Sequence, residues 1–124
     1  MAGKRHGLAA MALALAAIFT SPAALAHAHL QQQIPAADSV NNEGVSVLKL
    51  TFSEQIEPTL SSVSVIDASG NVVTSHQAKR SPDTTRQLLV LFDDPLKSGQ
   101  YQVEWQVVSV DSHKTQGNYS FSVK

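Results

Sequence analysis

Apolar residues recur with period two along most of this chain. Val45, Val47, Leu50 and Phe52 alternate with polar positions, and a phase change near Leu48 predicts a bulge. Val63 and Val65 alternate with Ser62 and Ser64. Leu88 to Phe92 is a continuous apolar run, the pattern of a strand covered on both faces. Tyr101, Val103, Trp105 and Val107 alternate with Gln102, Glu104 and Gln106, and Tyr119, Phe121 and Val123 alternate with serines. Turn formers separate these runs at Pro35–Asp38, Asn41–Gly44, Asp67–Asn71, Ser81–Asp83, Asp93–Pro95 and Lys97–Gly99. Short strands divided by turns every ~8–12 residues predict an all-β fold, a small antiparallel sandwich or Greek-key barrel. Segment 75–86, the most polar stretch, reads as a surface loop, and Trp105 as a core residue between two sheets.

The first 26 residues do not share this pattern. Lys4 and Arg5 precede an apolar run from Leu8 to Phe19, and Ala24-Leu25-Ala26 ends it. That is the layout of a secretory signal cleaved after Ala26. The run of 12 residues is too short to cross a bilayer, which takes ~20. Residues 27–124 are therefore expected to form one exported domain of 98 residues. Without the signal, seven basic residues face ten acidic ones, a net charge of −3. With no basic cluster, the charge pattern argues against a nucleic-acid or anionic-membrane partner. The chain has no cysteine, which excludes a disulfide scaffold and a thiol enzyme.

Candidate chemistry lies at the two ends of the domain. Cleavage after Ala26 would place an α-amine and an imidazole on one residue, His27, able to chelate one ion. Near the other end, Ser109-Val110-Asp111-Ser112-His113 puts an acid and an imidazole two positions apart. If a strand runs through them, both side chains face one way, ~7 Å apart. Nitrogen and oxygen donors of this kind suit Cu(II). Plainer readings stand beside these: a terminal histidine by chance, and a solvated Asp-x-His at a strand end. His29 adds a competing chelate. An amine, two amide nitrogens and a third-position histidine can wrap Cu(II) or Ni(II) in a square plane with no help from Asp111 or His113. His76 lies in the polar loop with no partner visible in sequence.

The order His27-Ala28-His29-Leu30, Pro35-Ala36, Leu50-Thr51-Phe52-Ser53-Glu54, Gly99-x-Tyr101-x-Val103-x-Trp105-x-Val107-Val108-Ser109-Val110-Asp111-x-His113 and Gly117-x-Tyr119-x-Phe121-x-Val123 resembles the CopC family of periplasmic copper-binding proteins, and within it the short YobA-type members. The resemblance implies a cupredoxin-like or immunoglobulin-like β-sandwich acting in copper resistance, delivery or uptake. It assigns one Cu(II) to His27, Asp111 and His113, a histidine brace with a further imidazole and a carboxylate. Glu54 falls beside the copper, and His29 is a weaker candidate. Family members with a thioether Cu(I) site carry methionines for it, whereas Met1 and Met11 both lie in the signal here. No such site is expected. The resemblance further implies an inner-membrane CopD-type partner. A monomeric copper carrier without enzymatic activity is the leading expectation. A copper-dependent oxidative enzyme and a metal-free immunoglobulin-like interaction module are the alternatives.

Overall fold

The computed structural model describes residues 28–124; His27 and the segment expected to be a signal lie outside the described residues. Eight strands are formed in this region: β1 (Leu30–Ile34), β2 (Val40–Asn41), β3 (Val47–Phe52), β4 (Ser62–Asp67), β5 (Lys79–Arg80), β6 (Gln87–Leu91), β7 (Gly99–Val108) and β8 (Lys114–Val123). The only helical piece among the described residues is a 3-10 turn at Pro58–Leu60. The strands make two four-stranded sheets, ordered β1-β3-β6-β5 and β2-β8-β7-β4. Every pairing is antiparallel except β2 with β8. This is the all-β sandwich that the alternation predicts.

The core lies where the inward phases of the two sheets meet. Leu48, Leu50 and Phe52 of β3 and Leu88 and Val90 of β6 are completely enclosed, facing Val65, Val103, Val107 and Phe121 from the second sheet. Tyr101 stacks on Phe121 with centroids 5.6 Å apart, and Phe52 meets Trp105 edge-on at 5.3 Å. Contacts of this geometry add ~0.5–1.5 kcal/mol each beyond area burial. Trp105 has the inward phase expected of it but is only partly buried. Its indole lies across Gly117, its register partner on β8: a Cβ there would sit 2.6 Å from Trp105 Cζ2. Glycine is required because the ring occupies the space a side chain would fill.

Three local expectations need correction. β3 pairs with β6 in continuous register through Leu48, so no bulge lies there; the register shift falls on β1, between Leu30 and Gln32. The phase change near Leu48 arises because Val47 stands on the outward phase of β3, whereas Leu48, Leu50 and Phe52 hold the inward one and Val45 is buried ahead of the strand. β6 is enclosed on one face only, with Leu91 38% exposed. Within segment 75–86, Lys79 and Arg80 form β5 against Leu89 and Leu88. β1 and β2 also escape the periodicity, because Leu-Gln-Gln-Gln-Ile carries few apolar positions and β2 is two residues long.

One pole of the sandwich gathers several connections. Ile56 bridges to Ser109, and the Glu57 amide donates to the Val108 carbonyl (2.8 Å). The amides of Phe52 and Ile56 donate to the carbonyls of Arg86 and Thr85 at 2.8 and 3.1 Å. The bend after β3, the loop before β6 and the β7–β8 hairpin thus share this pole.

Candidate metal centre

The β7–β8 connection is a tight hairpin, and it carries the acid and imidazole singled out in the sequence. Val108 and Lys114 are the last paired residues. Beyond them the Ser109 amide donates to the His113 carbonyl (2.9 Å) and the Ser112 amide to the Ser109 carbonyl (2.8 Å). Ser112 has φ of 73°. A turn closed by a left-handed residue is a common three-residue hairpin loop. The strand therefore does not continue through Asp111, contrary to the condition on which the same-face argument rested. The turn brings the two side chains closer than a strand could: Asp111 Oδ2 is 3.0 Å from His113 Nδ1.

The Asp111 carboxylate is held on its other oxygen as well. The hydroxyl of Ser109, a residue only 1% exposed, donates to Oδ1, and the His113 amide reaches the same atom at 3.3 Å. The Ser109 hydroxyl and then the His113 side chain hold the Asp111 carboxyl well below its ordinary 3.8, at about 2. Donors aimed at the ionised form favour it. The pair is thus an anionic carboxylate beside an imidazole, about half-exposed at the tip of the hairpin.

The first described residues, Ala28 and His29, arrive at this same pole. Ala28 is 1% exposed, and its carbonyl accepts from Thr115 Oγ1 at 3.0 Å. Thr115 lies two residues beyond His113 on β8. The His29 amide donates to Ser53 Oγ (2.8 Å), and the Ser53 amide returns a bond to the His29 carbonyl (2.9 Å). Glu54, half-buried in the bend after β3, follows directly. Sequence reasoning named Glu54 and His29 but missed Ser53 and Thr115 as supports; hydroxyls recur along the serine-rich strands, and nothing local marks these two.

Placed in the structure, the predicted ligands behave differently. Asp111 and His113 are brought into contact. His29 and Glu54 reach the same pole, but among the described residues no three His, Asp or Glu side chains converge on one point. His27, the remaining predicted ligand, lies outside the described residues. His76 does have a partner: its Nε2 is 2.7 Å from Asp93 Oδ1, across two loops at the far pole. This correction could not come from spacing, since 17 residues separate the pair.

Fold and pole together define a small β-sandwich with a nitrogen–oxygen donor pair at one end. Residues 30–124 match the CopC domain model, and the chain belongs to the CopC family. Protein YobA from Escherichia coli K12 is 42% identical over 114 residues, covering 90% of this chain and 92% of its own. Among solved structures, CopC from Methylosinus trichosporium OB3b superimposes with a TM-score of 0.73 at 33% identity, over 79% of this chain and 94% of that one. PcoC, a methionine-rich copper resistance protein from Escherichia coli, gives 0.71 at 28% identity, over 80% of this chain and all of that one.

Proposed function

We propose that this protein binds one Cu(II) in the periplasm and carries or buffers it in copper resistance. In this reading removal of residues 1–26 frees the amine of His27. Its amine and imidazole then join Asp111 and His113 around the ion, with Glu54 beside them. The observation that carries the proposal is the 3.0 Å separation of Asp111 Oδ2 and His113 Nδ1. Two donors ~2.0–2.1 Å from a first-row divalent ion and at right angles to each other stand ~2.9 Å apart. An ion held by both atoms would take the place of their hydrogen bond at a similar separation, each side chain turning to aim a lone pair at it. Ala28, the neighbour of His27, is fixed to β8 two residues from His113, which supports delivery of the terminal donors to the same place.

Three further features support this reading. Amine, imidazoles and carboxylate form a set that Cu(II) favours. From His27 onward the chain has no methionine or cysteine, so a thioether Cu(I) site of the sort suggested by a methionine-rich relative is not part of this proposal. Copper carriage, with no catalysis, fits a site built from a rigid hairpin; an inner-membrane CopD-type protein is the partner the family suggests, and a monomer the working state. The test is Cu(II) titration followed by electron paramagnetic resonance on protein beginning at His27, beside the same protein with one residue added before it. One-to-one binding lost on extension supports the brace; binding unchanged by the extension rules it out.

A further inference from the structure

The backbone of Ala28 and His29 is gripped from both sheets at once. Ser53, just past β3 of the first sheet, accepts the His29 N–H on its hydroxyl at 2.8 Å and returns its own amide to the His29 carbonyl at 2.9 Å. Thr115, on β8 of the second sheet, holds the Ala28 carbonyl at 3.0 Å. Between them Ala28 is 1% exposed. With residues 1–26 removed, this would be more restraint than a chain end ordinarily receives.

The grip bears on the competing chelate recognised in the sequence. That chelate needs the nitrogens of the Ala28 and His29 amides as ligands, in one plane with the His27 amine and the His29 imidazole. A metal-bound amide nitrogen has lost its proton and cannot donate to Ser53 Oγ. Wrapping the backbone around an ion also turns the Ala28 carbonyl away from Thr115 and brings its methyl out of the core. The square-planar mode is the one by which a terminus of this sequence takes Ni(II) as well as Cu(II). The folded brace uses neither amide.

We propose that Ser53 and Thr115 are specificity-determining residues that close the terminal amide chelate, keeping Ni(II) off the chain end and confining Cu(II) to the folded site. The inference rests on the copper-binding reading above and assigns the selectivity of that site to two hydroxyls bonded to the backbone of Ala28 and His29. The alternative metal is opposed by the hydrogen bonds and burial it must undo.

The test uses the chain beginning at His27, with Ni(II) and Cu(II) chlorides as probes. Wild type is compared with Ser53→Ala/Thr115→Val and with the same variant carrying His29→Ala. At the Ni(II) concentration that half-saturates the double variant, wild type is expected to show less than about a fifth of that variant's His29-dependent square-planar Ni(II) absorption, the ratio a tenfold affinity difference gives. The double variant is expected to gain Ni(II) affinity by roughly tenfold, the scale of one or two neutral hydrogen bonds. It also gains a second Cu(II) resonance species, and both gains vanish with His29→Ala. A folded double variant without these gains, or a wild type already binding Ni(II) through His29 equally well, overturns the assignment. Thr115→Val alone and amide exchange on wild type keep the test open if the double variant does not fold. The His29 N–H must exchange slowly, and a rate like that of an unstructured peptide also overturns it. His113→Ala, titrated with Cu(II) in parallel, separates the two claims. Copper binding indifferent to that change sinks the underlying site, whereas failure of the hydroxyls appears in the Ni(II) result with copper binding intact.

Discussion

Among the described residues histidine meets aspartate twice, at opposite poles of the sandwich, and the shorter contact is the less well held. His76 Nε2 lies 2.7 Å from Asp93 Oδ1, against 3.0 Å from His113 Nδ1 to Asp111 Oδ2. Yet the Asp93 side chain is 72% exposed and that of Asp111 42%. Asp93 is approached by His76 and, at 3.5 Å, by the Ser75 hydroxyl. Asp111 has the Ser109 hydroxyl, the His113 amide and the His113 ring, all within its own turn. The His76 hydrogen bond lowers the Asp93 carboxyl, whereas the donors around Asp111 take it to about 2. A hairpin of fixed geometry prepays the entropy of bringing such groups together; two loops must supply it each time they meet. Only the hairpin pair therefore has the character of a prepared site.

The strongest way to break this contrast is to change the chain end. One residue added before His27 should lower Cu(II) affinity by about 100-fold or more, because donors on one tethered residue act as a chelate. It should leave the His76–Asp93 contact unchanged in histidine ring spectra. Next in size is His113→Ala, expected to weaken Cu(II) binding at least ~10–100-fold, the range seen even for groups one step removed from a metal. His76→Ala should leave the same titration unaltered, and an equal loss there would erase the distinction between the poles. Ser109→Ala should raise the Asp111 carboxyl from about 2 back toward 3.8 and loosen copper a few-fold, roughly the loss of one charge-assisted hydrogen bond partly offset by solvent. Carboxyl carbon titration by NMR reads the first effect directly.

The smallest effect is the order of acid uptake. Both carboxyls are depressed in the folded protein, so each stabilises the fold above its ordinary 3.8 and loses that contribution as pH falls below it. Asp93 should take up its proton before Asp111, whose loss extends toward pH 2. Copper should leave at higher pH than either event, since protons compete first for the amine and imidazoles. Release that tracks Asp111 protonation would instead make the carboxylate the dominant ligand.

Legibility in the sequence followed the range of the interaction involved. Alternation from Tyr101 to Val107 and from Tyr119 to Val123 revealed β7 and β8, because a buried face imposes period two on residues that are covalently near. Asp111 and His113 were visible for the same reason, although the turn that joins them is not the strand the spacing suggested. Leu88–Phe92 misled: an apolar run records tolerance of burial, and the described chain leaves Leu91 38% exposed. The Asp93–His76 contact and the Ser53 and Thr115 bonds are decided by which loops face one another. No local pattern encodes that.

The direction of β8 has a practical consequence. The strand leaves the hairpin at Lys114 and reaches the far pole at Val123, roughly 30 Å away at ~3.3 Å per residue. There the Lys124 amide is tied to the Asn41 carbonyl at 2.8 Å. A tether joined beyond Lys124 would stand at the opposite end of the molecule from Asp111 and His113. On an electrode or bead such a tether would orient every molecule alike, with the His113 hairpin facing solution and open to whatever delivers or removes its ion.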